Sequence, residues 1–328
     1  MIKSTHLDFG YNIHDYVLFK LRILLYFRYL SGSEMKIIDR QDVMNVFPML
    51  KGKYGRTLAE YIIRLCSINK INHIYNHSSA YTGSEFAGRL LNDLNINYLI
   101  GNPGRLAFLP EGAFITISNH PYGGLDGIIL VDLLARIRPD YKLMVNSMLS
   151  MVKTMNENFI SVKPTSNKKN GIIGKNIRAI RETLMHIQDG HPVGFFPSGA
   201  VSDFSLKDLY VRDRKWQQNI LNLINTVKVP ILPIRFFDAN SSFFYFLGLI
   251  NWKVRSFRMP SELFNKKGKQ TRIGVGNVIS VQEQEHFPDL GALGDFLRKA
   301  VYEMPVPKSF VPRSFFNPDE KHSEIIPA

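Results

Sequence analysis

Ala113-Phe114-Ile115-Thr116-Ile117-Ser118-Asn119-His120-Pro121-Tyr122-Gly123-Gly124-Leu125-Asp126-Gly127 is the stretch whose reading decides the fold. Its first six residues are apolar or β-favouring and read as a buried strand ending at Asn119-His120. Gly123 and Gly124 allow a sharp turn, and Leu125 to Ile137 reads as an apolar helix stopped by Arg138-Pro139. Outward from this unit the alternation recurs. Ile96–Ile100, Tyr141–Val145, Phe159–Val162, Val193–Phe196 and Val229–Ile234 are strand candidates, and Arg272–Ile279 is expected as the last. Thr82-Gly83-Ser84-Glu85 matches a capping box before a helical face of Phe86, Leu90, Leu91 and Leu94. Ile173, Ile177, Ile180, Leu184 and Ile187 mark an amphipathic helix stopped at Asp189-Gly190. Strands alternating with helices imply an α/β fold: a layered sheet flanked by helices. Pro230 and Pro233 predict that their strand is short or at an edge. Residues 1–79 read as an N-terminal helical region and 80–328 as the α/β domain, with polar Lys70–Ser79 as a joint.

Composition limits the partners. With 328 residues, 45% hydrophobic, the chain can bury a large core, and its formal charge of +13 calls for an anionic partner. The basic residues are spread rather than arrayed with stacking aromatics, so no specific nucleic acid is expected. The single cysteine, Cys66, sits in an apolar helical stretch and reads as core; it allows no intrachain disulfide. Met1–Asp8 is polar, unlike a secretory signal, and no uncharged apolar run reaches the ~18 residues of a membrane span. Two stretches, Tyr16–Leu30 and Phe243–Trp252, place apolar residues beside Lys and Arg. Each suits either a helix lying in the headgroup layer of an anionic membrane or a core helix with a basic outer face. The expected location is peripheral, on the cytoplasmic face of an inner membrane.

His120 follows an apolar strand, where side chains face a cleft, and an imidazole accepts a proton readily near neutral pH. Asp126, across the glycine turn, is placed to bond the other ring nitrogen and fix the tautomer. The same residues also fit a helix-capping aspartate and a turn histidine.

Further motifs bear on that choice. Asn119-His120-Pro121 through Asp126 resembles the first motif of the PlsC-type glycerolipid and lysophospholipid acyltransferases. Phe196-Pro197-Ser198-Gly199-Ala200-Val201-Ser202 resembles that family's Phe-Pro-Glu-Gly-Thr-Arg-Ser block, and Val229-Pro230-Ile231-Leu232-Pro233-Ile234 its Val-Pro-Ile-hydrophobic-Pro-Val strand. Phe159–Lys163 lies where the family carries a substrate-binding segment. The resemblance spans residues 80–285. It implies a PlsC-like fold, with His120 as general base and Asp126 orienting it. It also implies transfer of a fatty acyl chain from acyl carrier protein or coenzyme A thioester to the hydroxyl of a lyso-lipid. No other cofactor and no metal is expected.

The sequence departs from the family at informative places. Five residues, not four, separate His120 from Asp126, so Gly123 and Gly124 must rebuild their geometry. Ser198 stands for the family's Glu, and Ala200-Val201 for its Thr-Arg, the residues that help hold a glycerol phosphate. This form resembles the hemolysin-like branch, whose relatives acylate lyso-ornithine or lyso-glycine lipids, and favours an acceptor without that phosphate. A non-catalytic, membrane-binding hemolysin-like protein is the alternative.

Asn119, Gly123, Gly124, Phe196, Pro197, Ser198 and Gly199 are the expected substrate contacts, with backbone N–H groups near Gly199 serving an oxyanion or the acceptor. Ser198 lacks a Gly-x-Ser-x-Gly elbow and is not expected as a nucleophile. Lys163, with Lys168, Lys169, Lys175 and Arg178, could hold coenzyme A phosphates or an acidic carrier protein, or form a solvated loop. Arg235 follows a strand end and could face the cleft. Asp203, Asp208 and Asp213 are expected as surface carboxylates.

Overall fold

The structure, a computed structural model, describes residues 41, 44, 52, 55–65, 67–147, 149, 152–163 and 172–316. Tyr16–Leu30, Cys66, Lys168 and Lys169 lie outside the described residues. Helices α1 (Gly55–Leu65), α2 (Ile68–Ser78) and α3 (Gly83–Asp93) lead into strand β1 (Leu99–Gly101). Then come β2 (Ile115–Ser118), α4 (Gly124–Ile137), β3 (Lys142–Asn146), β4 (Phe159–Val162), α5 (Ile172–Gln188) and β5 (Val193–Phe195). A hairpin of β6 (Asp203–Ser205) and β7 (Tyr210–Arg212) precedes α6 (Gln218–Val227) and β8 (Ile231–Phe236). The chain closes with α7 (Ser242–Ile250), α8 (Trp252–Phe264), β9 (Arg272–Val275), α9 (Val281–Glu285), α10 (Leu290–Tyr302) and β10 (Phe310–Pro312).

One sheet has the order β10-β1-β9-β8-β2-β5-β3-β4. From β8 to β4 its neighbours are parallel; β9 and β10 add antiparallel pairings. Strands buried on both faces need cover on both, and the core divides accordingly. On one face α3 and α4 set Phe86, Leu91, Ile129, Leu130 and Leu133 against Leu232, Ile234 and Phe236. On the other, α5, α6 and α10 cover Ile115, Ile117, Val193, Phe195 and Ile231. Helix α4 is apolar nearly all round, as a helix enclosed by protein must be. Each buried Leu or Ile it contributes is worth roughly 1.5–3 kcal/mol. Of its two fully buried carboxylates, Asp126 and Asp132, the second is met by the Arg313 guanidinium, 2.9 Å from Oδ1, and by the Tyr98 hydroxyl at 2.8 Å. A buried charge is tolerated when it is paired in this way.

Four expectations need correction. The Pro230–Pro233 strand is not an edge: β8 lies between β9 and β2. The N–H that Pro233 lacks falls on the β9 side, between the Ile231–Ile279 bridge and the ladder that resumes at Ile234–Val275, while the Pro233 carbonyl still accepts from Gly276 at 2.8 Å. β9 is not the last strand; β10 returns to pair with β1. Thr82 occupies the N-cap of α3, but its side chain makes no capping bond. Lys70–Ser79, read as a joint, is mostly helix α2, whose Tyr75 is buried edge-on against Phe86 at 5.6 Å. His73 and His77 lie on its exposed side, while Asn72 and Ser78 are buried with Tyr75.

β5 runs through the sheet centre with Gly194 between Thr116 and Leu143. A Cβ there would run into the Tyr141 hydroxyl, which is bonded to Thr116 Oγ1 at 2.9 Å. Overpacking of this kind costs about 1–3 kcal/mol. Gly194→Ala is therefore expected to lower the free energy of unfolding by that amount, read as a lower urea midpoint at unchanged slope, and an unchanged midpoint would show that the core yields more easily than its packing implies.

Candidate active site

The site lies where two parallel strands send their exits to opposite faces. From the carboxyl end of β2 the chain enters α4 on one face; from β5 it runs through the β6–β7 hairpin to α6 on the other. Adjacent strands with diverging exits leave a crevice at their carboxyl ends. His120 and the Phe196–Gly199 turn line it.

Asn119 holds the first wall. Its Nδ2 donates to the Phe236 carbonyl and its Oδ1 accepts the Phe236 N–H, both at 2.8 Å. The side-chain amide thus extends the β2–β8 ladder by one rung, and Asn119 acts on position rather than on a ligand. The His120 N–H donates to Asp213 Oδ1 at 3.1 Å, and the His120 carbonyl accepts the Ser202 N–H at 2.8 Å.

The imidazole is fixed on two sides. Nδ1 lies 2.8 Å from Asp126 Oδ2, and one ring face stacks on Phe196 at 3.9 Å and 24°. A carboxylate beside Nδ1 selects the tautomer with its proton there, so Nε2 carries the lone pair. Among the described residues Nε2 takes no hydrogen bond, and the side chain is 16% exposed. Asp126 is fully buried. Its Oδ2 also accepts the N–H groups of Tyr122 at 2.9 Å and Gly123 at 3.0 Å. Burial pushes its carboxyl above the ordinary aspartate value, opposed by the bonds from His120, Tyr122 and Gly123. The aspartate that caps α4 is thus also the group bonded to His120 Nδ1.

The two glycines divide unequally. Gly123 has φ +81°, and a Cβ on it would come within 2.6 Å of Met259 Sδ. Gly124 begins α4 with open space at its Cβ position. At the second wall, Gly199 has φ +65°, and a Cβ would collide with the Gln217 amide. The Gly199 N–H donates to the Phe196 carbonyl at 2.9 Å, so it is used inside the turn rather than presented to an oxyanion. Ser198 is buried, its hydroxyl donating to the Ala200 carbonyl at 2.8 Å, and Pro197 accepts the Gln217 N–H.

Two expected contacts stand apart. Arg235 donates to the Met304 carbonyl at 2.7 Å and lies over the Phe237 ring, with no contact to His120. Lys163 directly follows β4, three strands from β2 on the same sheet edge, which is roughly 15 Å at ordinary strand spacing. Its N–H and carbonyl are clasped by the Asn176 amide.

Asp213 is the residue that sequence reasoning misplaced. It is buried rather than at the surface, accepts the Ser202 hydroxyl at 2.5 Å as well as His120 N–H, and burial pushes its carboxyl up. Its neighbours Arg212 and Arg214 make the stretch look solvated, and no local signal marks it. Three further groups fasten the His120 loop from outside. The Tyr245 hydroxyl donates to the Pro121 carbonyl at 2.9 Å, and Asn240 Nδ2 to that of Tyr122 at 3.3 Å. Lys266 lies 4.7 Å over the Tyr122 ring, its ammonium bonded to the Ala239 carbonyl at 2.8 Å.

A buried carboxylate beside an oriented imidazole, at a sheet switch point, is the arrangement that general-base chemistry on an acceptor would require. Residues 49–307 match the family model described as Acyltransferase, and the chain belongs to that family. It is similar to the lyso-glycine lipid O-acyltransferase of Bacteroides thetaiotaomicron, 21% identical over 284 residues that cover 84% of this chain and 100% of that protein. The protein of the same description from Phocaeicola vulgatus is 22% identical over 284 residues, covering 84% of this chain and 98% of its own.

Two outcomes follow from this geometry. Asp126→Asn keeps an acceptor for the Tyr122 and Gly123 N–H groups but loses the charge that sets the tautomer. Turnover is expected to fall roughly 10²–10⁴-fold with little change in thermal midpoint; near-native turnover would remove Asp126 from the mechanism. Burial lowers Lys266 from 10.5 to about 8. The unfolded chain therefore binds this proton more strongly between those values. The cost to the fold is full below about pH 8 and fades as pH rises to about 10.5. Between pH 8 and 10 the wild type should gain stability relative to Lys266→Met, read as the difference in urea midpoints; parallel curves would refute the assignment.

Proposed function

We propose that this chain moves a fatty acyl group from a thioester of acyl carrier protein or coenzyme A onto the hydroxyl of a lyso-lipid, a lyso-glycine or related aminolipid. The observation that carries this reading is the His120–Asp126 pair, its imidazole partly exposed and its Nε2 without a hydrogen bond among the described residues. In the reaction, Nε2 takes the proton of the acceptor hydroxyl as its oxygen attacks the thioester carbonyl. The new C–O bond forms, the C–S bond breaks, and the imidazolium returns the proton to the leaving thiolate. Asp126 steadies the imidazolium through Nδ1.

The names of the relatives support the aminolipid acceptor. So do the residues of the second wall, where Ser198, Ala200 and Val201 replace the charged and polar residues that help the wider family hold a glycerol phosphate. The basic residues Lys163 and Arg178 at the β4–α5 edge suit an anionic carrier. The proposed place of action is the cytoplasmic face of an inner membrane, with the protein bound peripherally to an anionic surface.

Lipid extracts of cells expressing wild type, His120→Ala or neither, compared by mass spectrometry, test this. A diacylated aminolipid should form with wild type alone, as its mono-acylated precursor falls. His120→Ala should retain no more than about 1% of that turnover. Identical profiles, with folded protein on the membrane, would favour the non-catalytic hemolysin-like alternative.

A further inference from the structure

The sequence Phe243–Trp252 forms not one helix but the elbow of two, α7 and α8, broken at Asn251. The inner side of this hairpin is fixed to the active-site loops. Phe244 and Tyr245 are buried, Tyr245 bonds the Pro121 carbonyl, and Arg255 donates to the Ser202 carbonyl at 3.2 Å. The outer side is apolar and exposed: Phe246 by 56%, Ile250 by 65% and Trp252 by 61%, with Phe243 and Leu249 beside them. The β6–β7 hairpin, which packs on α7, adds Leu206 and Leu209 at its turn, exposed by 69% and 74%. Apolar side chains gathered this densely on a surface mark a binding face.

Charge selects the partner. The carboxylates near this face are matched by guanidinium groups: Asp203 by Arg214 and Arg255, Asp208 by Arg212, and Glu262 by Arg258. Lys207 stands exposed between the two leucines, and Arg258 lies over the Phe243 ring. An apolar elbow with a positive remainder fits the interface of an anionic bilayer better than an ordinary protein face.

We propose that the α7–α8 elbow and the β6–β7 turn seat the enzyme on an anionic lipid bilayer, with the His120 crevice at the membrane interface. A lipid acceptor would then reach Nε2 with its chain still in the bilayer. The proposal rests on the lipid-acceptor reading, but docking and turnover can be read separately.

Trp252 supplies a local reporter, since the chain has only one other tryptophan, Trp216, which is buried. The full chain is mixed with phosphatidylcholine vesicles with and without phosphatidylglycerol. With phosphatidylglycerol, Trp252 emission should shift to the blue, be quenched by brominated acyl chains and weaken with salt; Trp252→Phe should abolish the response. Phe246→Glu with Ile250→Glu should weaken vesicle binding by about tenfold or more, from loss of apolar insertion. Turnover of a detergent-dispersed acceptor should stay near wild type. Vesicle binding that leaves Trp252 emission unchanged would assign docking to another surface and overturn the proposal. So would a blue shift that follows protein concentration rather than lipid, which would assign the face to a second copy. Quenching by lipid without turnover in either protein would uphold the surface and sink the lipid-acceptor reading.

Discussion

A single carboxylate oxygen organises this site. Asp126 Oδ2 gathers the Nδ1 proton of His120 and the N–H groups of Tyr122 and Gly123. Only a tight turn can bring three donors from four consecutive positions' reach onto one atom, and only buried does that atom hold them firmly. The turn requires Gly123 at positive φ, closed over by Met259. The helix that follows begins with Asp126 in its first turn, so the same charge also sits at the positive end of the α4 dipole. Capping, loop shape and imidazole orientation are therefore inseparable, and an extra residue in the His–Asp spacing is accommodated without losing the contact.

The sheet determines what surrounds that atom. β2 lies between β8 and β5, and each neighbour contributes to the histidine's setting: Phe236 through the Asn119 amide, Phe196 through its ring. The α4 exit carries the orienting carboxylate, and the exit from β5 carries Ser202 and Asp213, which hold the His120 backbone. The His120–Asp126 pair thus sits where loops from both faces of the sheet converge.

The parts legible in sequence were those encoded locally. Strand, glycine turn, helix and the six-residue step from His120 to Asp126 all lie within one supersecondary unit, so periodicity and turn chemistry suffice to place them. Asn119's partner is 117 residues away and Asp213 is 93 residues from His120, and nothing in either neighbourhood announces the pairing. Pro233 misled for a related reason. A missing donor argues against a central strand only when the neighbour has an acceptor opposite it, and here the β9 ladder is interrupted at that rung. Gly199 reads in sequence as offering its N–H to a substrate, but that N–H serves the turn, a distinction that depends on where the Phe196 carbonyl points.

The stacking of Phe196 on His120 bears on kinetic order. With one face against Phe196 and Nδ1 bound to a buried carboxylate, the ring cannot turn over to present its other nitrogen without breaking both contacts. For an acyl transfer run through this site, one nitrogen must then serve both ends of the reaction. The attacking oxygen and the departing sulfur have to share its neighbourhood within a single enzyme-bound assembly. With direct attack on the thioester, as proposed, and no side-chain nucleophile to hold the acyl group, that assembly is a ternary complex, so initial-velocity lines intersect rather than run parallel.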